Sequence, residues 1–111
     1  MINENLDVLN HRSEEFQRIS LLHACAELGI PQSAKILLDK QADINIQDVK
    51  GGTPLYMACQ NAHKPIVKML LDKQADVNIQ DIEGATPLYT VTACLQGQEE
   101  ISELLRQHGA V

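Results

Sequence analysis

The residues able to do chemistry are few and scattered. Four histidines stand at His11, His23, His63 and His108. No two of them have the H-E-x-x-H or H-x-x-x-H spacing that places a metal-binding pair on one helical face. Cys25, Cys59 and Cys94 lie in apolar helical surroundings. A nucleophilic thiol needs a neighbouring base and partial exposure, and neither is written beside these three. Aspartate and glutamate total 15, spread through turns and polar faces without a paired-carboxylate motif. Gly51-Gly52 is a turn and not a phosphate-binding loop. The residues predict no enzyme, no cofactor and no metal ion.

What spaces these residues is an internal repeat. Residues 37–48 read LLDKQADINIQD and residues 70–81 read LLDKQADVNIQD, differing only at Ile44 and Val77, at an offset of 33. The same offset carries Thr53-Pro54-Leu55-Tyr56 onto Thr86-Pro87-Leu88-Tyr89. A fixed period of this length belongs to stacked supersecondary units. Within a unit, Asp48-Val49-Lys50-Gly51 has Asp first and Gly fourth, a type I turn pattern. Thr53 before Pro54 starts a helix: Thr caps, and Pro is tolerated where no N–H bond is needed. That helix is short, ending at Gln60 or Asn61. A second begins near Lys64-Pro65, and its Ile66, Val67, Met69, Leu70 and Leu71 spread over a broad apolar face. Small strands are expected near Asn45-Ile46 and Asn78-Ile79.

The pattern D-x-x-G-x-T-P-L-[HY], two helices and then L-L-x-x-x-A-D-[VI]-N resembles the ankyrin repeat. The resemblance implies an all-α solenoid of about three helix-turn-helix repeats joined by short β-hairpin loops. The expected divisions are a lead-in or lid at 1–14, with a lid helix over 5–12 or frayed chain there. The repeat domain follows at 15–111, with repeats at 15–47, 48–80 and 81–111. His23 then falls on the histidine that ties neighbouring turns, and His63 on the position between helices. Cys25 and Cys59 take places of small core residues. Gln41 and Gln74 stand where glycine is usual, at a left-handed position, while Gly109 keeps it. Asn45 and Asn78 resemble sites of asparaginyl hydroxylation; their residue-level reading is a side chain bonded to local backbone. The first repeat has Ser20-Leu21 in place of Thr-Pro, and Ser33-Ala34 in place of Ile66-Val67. The third carries two extra residues within 92–100, and Arg106 in place of Leu71. Polar substitutions of this kind read as a cap.

In such arrays the hairpin tips act as fingers and the first helices as a palm. Carried onto this chain, the resemblance implies partner contacts from Val49 and Lys50, then Ile82 and Glu83, on the tips. Gln47 and Gln80 precede those tips, and Gln60 and Asn61 lie on the palm. Phe16, Gln17 and Glu27 are their counterparts in the first repeat. Val49 and Ile82 are apolar at turn tips, where polar residues are cheaper. They either form an interaction surface or pack on adjacent tips.

Composition is that of a folded domain: 44% hydrophobic and 22% charged, but only 3% aromatic, so the core must be aliphatic. A net charge of −6 and no Lys/Arg stripe argue against nucleic acid and anionic membranes as partners. No apolar run reaches bilayer length, and residues 1–10 lack the apolar centre of a signal peptide. Three free thiols suit a reducing compartment, so an intracellular, cytoplasmic location is expected, with the nucleus open as well. The expected function is a monomeric adaptor or inhibitor that holds another protein. Two alternatives stay open: a structural or targeting fragment of a longer chain, and an array that self-associates weakly end to end.

Overall fold

The computed structural model describes residues 20–93 and 99–111. Six helices occur among them, in three antiparallel pairs: α1 (Leu21–Leu28) with α2 (Pro31–Asp39), α3 (Pro54–Gln60) with α4 (Lys64–Asp72), and α5 (Pro87–Ala93) with α6 (Glu99–Gln107). The first helices α1, α3 and α5 stack as one layer, and α2, α4 and α6 as a second. The lead-in 1–14, its lid helix, Phe16, Gln17 and Cys94 lie outside the described residues.

One hydroxyl caps each first helix. Ser20 Oγ accepts from His23 N–H (3.1 Å), Thr53 Oγ1 from Tyr56 N–H (3.1 Å) and Thr86 Oγ1 from Tyr89 N–H (3.2 Å). Each bond satisfies one of the helix's unpaired N–H groups. The serine of the first repeat therefore keeps the function of the threonine it replaces, and only the proline is lost, to an exposed Leu21.

The second helices end on a shared device. Ala42, Ala75 and Ala110 donate N–H to the carbonyls of Leu37, Leu70 and Leu105, each at 3.0 Å. That closure needs a left-handed residue just before the alanine. Gln41 (φ 69°), Gln74 (φ 67°) and Gly109 (φ 95°) supply it, as the sequence predicts. Ala62 (φ 60°) is a third non-glycine residue in this conformation, at the place of Gly29 one repeat earlier.

No strand forms among the described residues. Among the described residues the segments around Asn45-Ile46 and Asn78-Ile79 are turns, which corrects the expected hairpin strands. Side chains take the backbone groups a ladder would use: Asp43 Oδ1 accepts from Asn45 N–H, and Asp76 Oδ1 from Asn78 N–H, both at 3.0 Å.

The core runs through both layers. Leu22 and Ala26 of α1 and Leu55 and Ala58 of α3 are buried in one cluster. α4 buries Ile66, Val67, Leu70 and Leu71 because it has neighbours on two sides. Each such side chain contributes about 1.5–3 kcal/mol. At the first repeat Ser33, the counterpart of Ile66, is exposed; at the last, Arg106 is exposed where Leu71 is buried. The helix bounds leave residues 94–98 between α5 and α6, against 61–63 between α3 and α4. The stretch expected to hold the two extra residues thus falls largely outside the described residues.

Candidate functional site

Two hairpin tips and helix α3 make a surface where outward side chains converge on a cleft lined by both tips and the palm. Each tip is organised by an aspartate. Asp48 Oδ1 accepts from Lys50 N–H (2.9 Å) and Gly52 N–H (2.8 Å), and Gly51 N–H closes the turn on Asp48 C=O (2.9 Å). Asp81 repeats this with Glu83 N–H (2.8 Å) and Ala85 N–H (2.9 Å).

The tips are bonded to each other. Ile82 N–H donates to Lys50 C=O at 2.9 Å, and Tyr56 Oη–H to Asp81 Oδ2 at 2.9 Å. Gly51 lies so near the next tip that a Cβ on it would sit 2.9 Å from Asp81 Cα and from Ile82 N. With φ at 85° as well, only glycine fits there. From below, His23 Nε2–H donates to Gly52 C=O at 2.8 Å, while Nδ1 faces Ser20 N–H. An all-acceptor carbonyl on one nitrogen and a donor on the other fix the neutral Nε2–H tautomer. His63 Nε2–H donates to Glu27 C=O at 3.0 Å. His23 therefore has the tying role that the resemblance implies, and His63, at the interhelix position, bonds back to the first repeat.

Partial burial pushes the Asp81 carboxyl up. Hydrogen bonds from Ala85 N–H, Tyr56 Oη–H and the Glu83 and Gly84 N–H groups outweigh this and hold it below the usual range. Burial, with the adjacent Asp81 and Glu83 charges, raises the Tyr56 phenol. Cys59 is fully buried and its thiol is pushed up to about 12; burial raises the Cys25 thiol too. Neither is a nucleophile at neutral pH. Among the described residues no group of three or more His, Cys, Asp or Glu is placed to hold a metal ion, and no helix is long and apolar enough to cross a membrane.

A cleft of about 410 Å³ opens between the tips and α3. It brings together the expected Lys50, Gln60, Ile82 and Glu83, and adds Asp48, Asp81, Tyr56 and Met57. Tyr56 and Met57 were readable: Tyr56 lies one turn before Gln60 on the same helix face. A shallower groove on the outer side of the tips holds Gln47, Val49 and Ile82. Val49 is 50% and Ile82 72% exposed, so they do not bury each other. Glu27 and Gln80 are exposed but line neither cavity.

Two expected contact residues carry a structural duty as well, and one expectation needs correction. Gln47 has a structural duty: its Nε2 donates to Gly51 C=O (3.0 Å) and Gln80 C=O (3.4 Å), bridging two tips. Asn61 also serves the scaffold, donating to Met57 C=O at 2.9 Å. Asn45 and Asn78 do not bond local backbone with their side-chain oxygens. Asn45 Oδ1 accepts from Asp76 N–H (2.9 Å) and Asn78 Oδ1 from Val111 N–H (3.2 Å), each in the next repeat; Asn78 Nδ2 also donates to Gly109 C=O (3.1 Å).

A family model of three ankyrin repeats matches residues 9–111. The chain is an ankyrin-repeat protein. It is similar to Rabankyrin-5 of Mus musculus, 37% identical over 46 residues, which are 41% of this chain and 4% of that protein. The chain thus matches only a small part of that relative's length. Ankyrin repeats generally serve as protein-interaction modules and are typically non-enzymatic.

Proposed function

We propose that this ankyrin-repeat protein is an adaptor or inhibitor that holds a partner protein across its tips and the exposed face of α3. One observation carries the reading: the cleft between the Asp48 and Asp81 tips has the half-buried Tyr56 and Met57 as its floor and exposed polar side chains around it, beside two apolar residues left open at the tips. Turns bonded to each other present these groups with little backbone ordering left to lose on binding. Cytoplasmic location fits the unpaired, buried thiols of Cys25 and Cys59.

The test compares a surface variant with a scaffold variant. Val49→Asp, Ile82→Asp and Gln60→Ala together change exposed groups, at about 0.5 kcal/mol or less each. Leu70→Ala removes a fully buried side chain and costs about 2–5 kcal/mol. Capture of partners from a lysate should fail for the triple variant while its thermal melt stays near that of the parent. If the triple variant captures the same partner with equal affinity, the convex face of α2, α4 and α6 is the binding side instead.

A second reading has an observation of its own. Leu28, Ile30 and Ile36 of the first repeat are exposed, whereas α6 turns Glu103, Arg106 and Gln107 outward. Self-association would therefore use the first-repeat end, and sedimentation equilibrium of Ile36→Lys beside the parent decides it.

A further inference from the structure

We infer that the cleft between the two tips receives an arginine side chain carried on a segment of the partner protein. The inference rests on the concave binding surface proposed above and specifies what enters it. Its argument is charge complementarity over an apolar floor. Met57 and the Tyr56 ring are half-buried at the bottom, and Ile82 stands exposed at one wall. Three carboxylates, Asp48, Asp81 and Glu83, face one ammonium, Lys50, in a chain that is itself net negative.

The three carboxylates are not equivalent. Asp81 is spent on the scaffold, with one oxygen on two backbone N–H groups and the other on the Tyr56 hydroxyl. Asp48 uses Oδ1 for its turn, and Oδ2 receives no hydrogen bond among the described residues. The Glu83 carboxylate receives none at all among them. Water satisfies these oxygens while the cleft is open.

Closing the cleft decides among occupants. An apolar side chain would cover the floor well but strip water from Glu83 and Asp48 without replacing it, and an unpaired desolvated carboxylate is costly. An acidic side chain adds repulsion. A cation on an aliphatic stem lays its methylenes on Met57 and Ile82 and its charge among the free oxygens. Arginine suits the site better than lysine. Its planar guanidinium stacks on a tyrosine ring, offers several donors to two separate carboxylates, and sheds water more readily than an ammonium.

The probes are nonapeptide pools with random flanks and a fixed central Arg, Lys, citrulline, Leu or Asp, passed over the immobilised full chain. Citrulline keeps the shape of arginine and removes its charge. The Arg pool should be retained over the citrulline pool by about two- to fivefold, the scale of a partly exposed ion pair. On Glu83→Gln that ratio should fall towards one. The peptide resolved from the Arg pool should shift the backbone amides of Gly52, Gln60, Ile82 and Glu83. Equal retention of citrulline or Leu pools with the same amides shifting overturns the arginine inference and leaves the concave surface standing. So does an Arg preference that Glu83→Gln leaves unchanged. Retention of no pool, or shifts confined to α2, α4 and α6, overturns both. Glu83→Gln alters only an exposed side chain, and its thermal melt beside the parent checks that the tip is intact.

Discussion

Replacing Gln74 by glycine should stabilise the protein. Gln74 has φ 67°, ends α4, and exposes a side chain with no hydrogen-bond partner among the described residues. Its backbone position is required, because Ala75 N–H must reach Leu70 C=O at 3.0 Å. A side chain in the left-handed region costs about 1–2 kcal/mol through its Cβ and carbonyl contacts. Glycine escapes that cost but gives up about 0.5–1 kcal/mol of extra freedom in the unfolded chain. No hydrogen bond is lost in the exchange, so the net gain is about 0.5–1 kcal/mol. With a urea slope of about 1–3 kcal/mol/M, the midpoint should rise by about 0.2–1 M. Gln41→Gly, in the same conformation one repeat earlier, should act in the same direction. Gly109→Gln, at φ 95°, should do the reverse. Urea melts followed by circular dichroism read all three. A loss of stability in Gln74→Gly, or a gain in Gly109→Gln, refutes the strain argument.

Glycines at the two tips should differ in cost although their φ values are both 85°. Gly84→Ala meets open space and should lose about 1 kcal/mol to strain, while Gly51→Ala also strikes the Asp81 backbone and should lose about 2–4 kcal/mol; thermal melts compare them. Cys59 should stay unlabelled by a disulfide reagent in the native protein at pH 8 and react fully in urea, because its pKa is about 12; rapid native labelling would show that α3 opens. Asp81 has a lowered folded pKa, so its contribution is complete above the unfolded value of about 3.9 and is lost as pH falls through the folded one. The stability gap between the parent and Asp81→Asn should accordingly narrow between about pH 5 and pH 2, and a gap that is constant with pH would dismiss the charge from the tip's stability.

Solenoid architecture, helix starts and left-handed turns were legible in the sequence because each is local. A 33-residue period survives in the residue types themselves, Thr53-Pro54 and Thr86-Pro87 announce helix caps, and the alanine after Gln41 or Gln74 closes on a carbonyl five residues back. Burial follows from the same period, which is why Leu22, Leu55 and Leu70 were foreseeable as core and Arg106 as an end. The cleft was not legible to the same degree. Tips and palm could be assigned by position, but whether an exposed amide is free depends on which carbonyl the stack brings within 3 Å. Stacking turned Gln47 into a bridge to Gln80, spent Asn45 and Asn78 on the following repeat, and placed Asp81 from one unit on Tyr56 of the unit before. Those partners are 25 to 33 residues apart in the chain. The offset of one repeat against the next is set by helix packing, not by any local residue preference, so only the tertiary structure decides which carboxylates remain for a partner.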